Sequence, residues 1–182
     1  MSKAQSNVMT DFGLPIIVLV LICAVMSGLL AVTNNITDPI IQEAERAANE
    51  AARKEVLSAA DSFDKVDVAG LPPTVTEVYK AANGAGYTFS IVAQGYGGKN
   101  TLKMTVGVDA DGKVTGAKVL DHKETPGLGS KITTDQRFIG DFKGKGADEI
   151  DGIDKISGAT FSSKYYKAAI KDALAAFQLV KG

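Results

Sequence analysis

The chain has 182 residues, 45% of them hydrophobic and 23% charged, which fits one domain of ordinary size plus an appendage. Its 20 Lys and Arg nearly balance 21 Asp and Glu, and a net charge of −1 lacks the long-range positive field that nucleic-acid binding requires, so no nucleic-acid partner is expected. One cysteine forbids an internal disulfide, and one histidine leaves no cluster with zinc or iron–sulfur spacing, so no metal site is expected from this chain alone.

Residues 1–13 read as a short tail whose one basic residue is Lys3. From Leu14 to Val32 the sequence LPIIVLVLICAVMSGLLAV runs 19 residues without a charge. As a helix it reaches about 28 Å at about 1.5 Å per residue, enough to span a bilayer. A cleaved signal peptide has an apolar core of about 7–15 residues behind a basic leader, so the run is read as a retained transmembrane helix. Cys23 follows Leu21 and Ile22 where a lipid-attachment cysteine follows a small residue, and it is read as an ordinary apolar helix position. Beyond the run, Arg46, Arg53 and Lys54 are mixed with Glu43, Glu45, Glu50 and Glu55, so flanking charge does not decide the orientation.

Thr37 or Asp38 followed by Pro39 makes a favourable helix start, because a proline at the first helical position gives up no needed N–H. Strong helix formers follow, and a separate juxtamembrane helix is predicted over 37–60. Its alanine-rich face has two readings, packing on the domain or meeting neighbouring membrane subunits. From Val66 the pattern changes to short β-like runs, Val75 to Ala81, Tyr87 to Ala93, Leu102 to Val108 and Val114 to Leu120, separated by Gly, Asn and Asp. Asp109-Ala110-Asp111-Gly112 lacks the later ligand positions of a calcium loop and reads as a hairpin turn. A short helix over Thr134 to Phe142 is expected next, then a glycine-rich segment and a helix from Phe161 to Leu179. Tyr166, Ile170, Leu174 and Phe177 recur at spacings of four, four and three and form an apolar stripe on that helix. The fold class expected is α+β, with one N-terminal transmembrane helix and a soluble domain over 61–182 made of an antiparallel sheet flanked by helices.

Two segments carry candidate chemistry. Asp154-Lys155-Ile156-Ser157-Gly158-Ala159-Thr160-Phe161-Ser162 is a small-residue turn that ends in a hydroxyl and runs into a helix. The amides of a helix start lack partners and carry the positive end of the dipole, so a phosphate beside Thr160 would be stabilised without a basic side chain. The competing reading is a plain helix N-cap, for which Ser157, Thr160 and Ser162 are all suited. In Glu124-Thr125-Pro126-Gly127-Leu128-Gly129 the glycines permit close backbone approach and Leu128 offers an apolar face to a flat ring. Gly127 to Lys131 lacks the spacing of a phosphate-binding loop, so ATP or GTP binding is not expected.

The spacing Asp-x-x-Ser-Gly-Ala-Thr at 154–160 resembles the sequence at which a flavin transferase couples FMN through its phosphate to a threonine hydroxyl. His122 to Ile132 and Gln94-Gly95-Tyr96-Gly97-Gly98 are similar to two further segments of the same FMN-binding domain, in the same order. With the single apolar helix, the whole chain resembles the G subunit of Rnf complexes. The related C subunit of sodium-pumping NADH:quinone reductase is the alternative, although the chain is shorter than expected there.

This resemblance implies covalent FMN on Thr160 through a phosphodiester, chemically a phosphoprotein bond, with Asp154 serving transferase recognition. It implies cofactor-binding roles for Tyr96, Glu124, Thr125, Gly127, Leu128, Gly129, Lys131, Ser157, Gly158 and Ala159, and no catalytic acid or base. The chain would be the electron-transfer subunit of an ion-translocating oxidoreductase, incomplete alone, in which electrons pass between ferredoxin and NAD while Na+ or H+ crosses the membrane. Its partners would be other membrane and iron–sulfur or flavin subunits, the flavin transferase and the bilayer. Because that transferase acts outside the cytoplasm, the domain would be extracytoplasmic on a single-pass anchor in the bacterial inner membrane. Three side chains keep two readings each: Glu124 contacts the flavin or holds its loop, Lys131 offsets flavin charge or is simply solvated, and Tyr96 lies beside the ring or merely closes a hairpin. A reading from another class is a flavin-free, membrane-tethered assembly module.

Overall fold

The uncharged run and the helix formers after it make one helix, α1, over Leu14–Val56, in a computed structural model that describes residues 13–181. Residues 1–12 of the tail, with Lys3, lie outside the described residues. By length and composition α1 is long and apolar enough to cross a membrane, and its apolar stretch is exposed. The two helices predicted over 14–32 and 37–60 are therefore joined, and Pro39 lies inside α1 instead of opening a second helix. Its ring removes one N–H bond, to the carbonyl of Asn35, while the good helix formers beyond it keep the helical path. α1 stops short of Ala60. Leu57 N–H still donates to Arg53 O at 3.0 Å, and Ala60 N–H then turns to Leu57 O at 3.1 Å.

The second compact unit begins at Ala47. Among the described residues, β1 (Phe63–Val66), β2 (Val75–Ala81), β3 (Gly86–Gly95), β4 (Gly98–Asp109) and β5 (Val114–His122) form one antiparallel sheet in sequence order. The expected runs coincide with β2 and lie within β3, β4 and β5, and β1 is an addition. The Asp109 turn is the expected hairpin, with Asp109 Oδ1 accepting from the amides of Asp111 (3.0 Å) and Lys113 (2.9 Å).

In place of one helix over Thr134 to Phe142 there are two short ones, α2 (Lys131–Thr134) and α3 (Gln136–Gly140). Asp135 separates them. Its backbone is extended, and its carboxylate caps α3 by accepting from Arg137 N at 3.1 Å and Phe138 N at 3.2 Å. A 3-10 turn, Ala147–Gly152, occupies the glycine-rich segment. The last helix, α4, spans Thr160–Lys181.

Alternation along the strands sends Phe89, Ile91, Leu102, Met104 and Val106 to one face, against the α4 stripe Tyr166, Ile170, Leu174 and Phe177. All of these side chains are buried, each worth about 1.5–3 kcal/mol relative to exposure. Phe138, Phe142 and Tyr166 pack ring to ring with centroids 5.1 to 5.3 Å apart. The opposite face is covered by the end of α1. There Thr115 Oγ1 donates to Val56 O at 2.5 Å, the Arg53 guanidinium lies 4.0 Å from the centre of the Tyr79 ring, and Gly107 leaves room for Val56 O.

The Tyr166 hydroxyl is buried without a hydrogen-bond partner among the described residues, and burial pushes its phenol above the usual range. Tyr166→Phe is accordingly expected to be neutral or to stabilise the fold by up to about 1 kcal/mol. Urea unfolding measures this, and a loss larger than that would mean the hydroxyl has a partner.

Candidate functional site

Three connections meet at one end of the sheet: the β3–β4 turn, the loop that follows β5, and the turn that enters α4. Their residues line a pocket of about 240 Å³ formed by Tyr96, Thr125, Leu128, Gly129, Gly158, Ala159, Thr160, Phe161 and Ser162. Seven residues singled out in the sequence are thus brought together. Phe161 is an addition, as is Ser162, which the sequence offered only as a cap. Phe161 lies off the buried stripe of α4, and a large aromatic residue there, next to Thr160, was the one signal the sequence held.

The lining has no charged side chain. Beyond α1, the large apolar side chains left exposed among the described residues are Tyr96, Leu128 and Phe161, which meet here, and Leu179 near the end of α4. Tyr96 and Phe161 are 63% and 60% exposed, with ring centroids 6.4 Å apart. Such a cluster offers an apolar bed to a flat ligand.

The start of α4 is sparsely capped. Its first carbonyl is that of Ala159, which accepts from Ser163 N and from Ser163 Oγ, both at 2.9 Å. Alanine brings no side-chain cap, which usually costs about 1 kcal/mol of helix stability. Thr160 is exposed, and none of its side-chain atoms is hydrogen-bonded to the described residues, so the plain N-cap reading has no contact behind it. The amides of Thr160, Phe161 and Ser162 lack helical acceptors and carry the positive end of the dipole.

Glu124 lies beneath the pocket, 6% exposed. Its Oε1 accepts from Tyr96 N at 2.8 Å, and its Oε2 accepts a short hydrogen bond from Ser162 Oγ. One carboxylate thereby ties the β3–β4 turn and the start of α4 to its own loop. The fit depends on two glycines: a Cβ on Gly129 would lie 2.6 Å from Glu124 Oε2, and one on Gly95 would collide with Oε1. His122 Nδ1 accepts from Glu124 N at 3.2 Å and steadies the same corner.

Three of the residues singled out lie away from the pocket. Gly127 is at the tip of its loop, where its N–H donates to Ser130 Oγ at 2.9 Å. Lys131 and Ser157 line a separate cleft of about 490 Å³ with Asp135, Arg137, Phe138, Asp141, Asp154, Lys155 and Ile156. Lys131 is exposed there, among charges of both signs.

The turn into α4 is held from the helix side. Ser163 Oγ accepts from Ile156 N at 3.1 Å, and Lys167 Nζ donates to Ile153 O at 2.6 Å and Asp151 O at 3.0 Å. Desolvation draws the Lys167 ammonium below the usual lysine range, partly opposed by Asp151.

Residues 95–175 match the family model described as FMN-binding domain, and residues 17–56 match that of the RnfG N-terminal region. The G subunit of the Na(+)-translocating ferredoxin:NAD(+) oxidoreductase complex of Acetobacterium woodii is 31% identical over 201 residues, covering 97% of this chain and 96% of the relative. The G subunit of the ion-translocating oxidoreductase complex of Methanosarcina acetivorans is 32% identical over 173 residues, covering 87% and 88%. The G subunit of the proton-translocating ferredoxin:NAD(+) oxidoreductase complex of Clostridium ljungdahlii is 29% identical over 168 residues, covering 86% of each. End-to-end similarity of this kind, with an FMN-binding domain over the part of the chain that builds the pocket, means that the chain belongs to the G-subunit family of ion-translocating oxidoreductase complexes.

Proposed function

We propose that FMN is joined through its phosphate to Thr160 and that the chain carries electrons within a membrane complex that couples transfer between ferredoxin and NAD to movement of Na+ or H+. The observation that carries the attachment is the uncapped start of α4. Thr160 is exposed, its hydroxyl is not engaged, and three first-turn amides stand ready for an anionic phosphate. Tyr96, Leu128 and Phe161 supply the apolar bed for the ring, while Thr125 and Gly129 offer polar and backbone contact beside it. Glu124 holds this arrangement from below, which favours the loop-holding role for its carboxylate.

The attachment is a phosphoryl transfer with no change of oxidation state. Thr160 Oγ forms a bond to phosphorus of a flavin whose phosphate is in anhydride linkage. The anhydride P–O bond breaks, the nucleotide leaves with the electron pair, and the hydroxyl proton passes to a base of the transferase or to solvent. A phosphate monoester carries about −1.5 to −2 near neutral pH, whereas the diester keeps one negative charge, which a helix start holds more easily. When bound, the flavin supplies the redox chemistry, and the chain binds it, orients it and keeps it from diffusing away.

α1 would anchor the chain in the bacterial inner membrane as a single pass, with the flavin domain outside the cytoplasm, where noncovalent FMN would be lost. Other subunits of the complex must supply the electron donor and acceptor, and a flavin transferase must mature the chain. The direct test is intact-mass spectrometry of protein from its native membrane under denaturing conditions, with peptide mapping across Ile156 to Lys164. FMN in phosphodiester linkage on Thr160 is expected. An unmodified native chain would favour noncovalent binding or an assembly module without flavin.

A further inference from the structure

We infer that Lys167 is a positioning residue for flavin attachment: with Ser163 it pins residues 151–159 to α4 in the shape in which Thr160 is offered to the transferase. This rests on the reading of Thr160 as the acceptor.

Ser163, Lys167 and Lys171 recur every four residues on α4, so they form one polar stripe beside the apolar one. All three grip the segment that leads into the helix, two of them at Asp151. Ser163 Oγ holds Ile156 N at 3.1 Å and Ala159 O at 2.9 Å. Lys167 Nζ holds Asp151 O and Ile153 O at 3.0 and 2.6 Å, at the end of the 3-10 turn, where carbonyls run out of helical partners. Lys171 Nζ pairs with the Asp151 carboxylate at 2.5 Å.

The three grips are unequal. The Lys171 pair is exposed, and such pairs contribute little. Lys167 is 7% exposed, and the hydrogen-bond partners of its ammonium are backbone carbonyls. An apolar side chain would fill that volume without the penalty of a buried charge. What the ammonium adds is a fixed distance between the second turn of α4 and two points of the segment, 14 and 16 residues earlier in the chain. Without it, residues 151–159 would spread over several conformations and offer the acceptor shape for only part of the time. Loss of a competent fraction raises the apparent dissociation constant in inverse proportion and leaves the step after binding unchanged.

The test uses the full chain in detergent, produced without the transferase, then treated with purified transferase and a flavin dinucleotide. Mass gain on Thr160 is followed against chain concentration. Lys167→Met is expected to raise the apparent KM for the chain about tenfold with kcat within about twofold of wild type, while circular dichroism still shows a cooperative melt. Lys167→Arg should recover part of the loss, and Ser163→Ala should shift KM in the same direction. If Lys167→Met does not fold, Ser163→Ala decides. A wild-type KM in a folded Lys167→Met chain, or a fall confined to kcat, overturns the proposal, as does a wild-type KM for Ser163→Ala when Lys167→Met is unfolded. Failure of the underlying reading looks different: the wild-type chain gains no flavin, or Thr160→Ala gains as much as wild type.

Discussion

Thr160→Ala is expected to abolish covalent flavin outright, and Thr160→Ser to retain part of it. The proposed attachment needs a hydroxyl oxygen at the first position of α4, and alanine removes that atom while leaving the helix start otherwise intact, because Thr160 makes no side-chain hydrogen bond to the described residues. Serine keeps the oxygen but loses the methyl group that restricts its rotation, so the acceptor is less well aimed. The three chains should be produced with the transferase present and compared by intact mass and by flavin fluorescence after denaturing electrophoresis. Electron flow from ferredoxin to NAD in membranes that contain the alanine variant should fall to background. Equal flavin content in the alanine variant and wild type would remove Thr160 as the attachment site.

Glu124→Ala is expected to cost about 3 kcal/mol and to weaken flavin retention at the same time. The carboxylate serves the amide of Tyr96 and the hydroxyl of Ser162, and its removal leaves two donors short of an acceptor, one of them on a side chain only 3% exposed. Glu124→Gln keeps an acceptor oxygen for one donor and should fall between alanine and wild type. Urea unfolding followed by tyrosine fluorescence, in detergent, reads the stability. Release of free FMN from a Thr160→Ala chain loaded noncovalently reads the site. If Glu124→Ala were within about 0.5 kcal/mol of wild type, the three connections would not depend on this carboxylate.

Much of this was legible in the sequence because it depends on local pattern. Short β-like runs between Gly, Asn and Asp marked β2 and most of β3 to β5, and the four-four-three spacing of Tyr166, Ile170, Leu174 and Phe177 marked the buried face of α4. β1 was not visible because Phe-Asp-Lys-Val is too short to show a period, and it is a strand only because β2 offers it an edge. Pro39 was misread as a start because the same residue that opens a helix can also be carried inside one when its neighbours are strong formers. The break at Asp135 depends on a side chain turning back on its own backbone, which composition does not disclose. At the site, seven motif residues share one pocket, and they stood out in the sequence because their types and spacings are themselves the signal. Burial of Glu124 and the grip of Lys167 on Asp151 and Ile153 were not, since each joins parts of the chain whose proximity only the fold determines.

The end of α1 has a practical bearing on how a soluble version should be trimmed. Cutting before residue 61, at the domain boundary that the sequence implied, would remove Val56 and Arg53. Thr115 Oγ1 would then lose its acceptor, the Tyr79 ring its cationic cover, and the back of the sheet its lid. A fragment that begins at Ala47 keeps all three and omits the apolar stretch, so its behaviour in solution would report on the flavin domain and not on a wound left by the scissors.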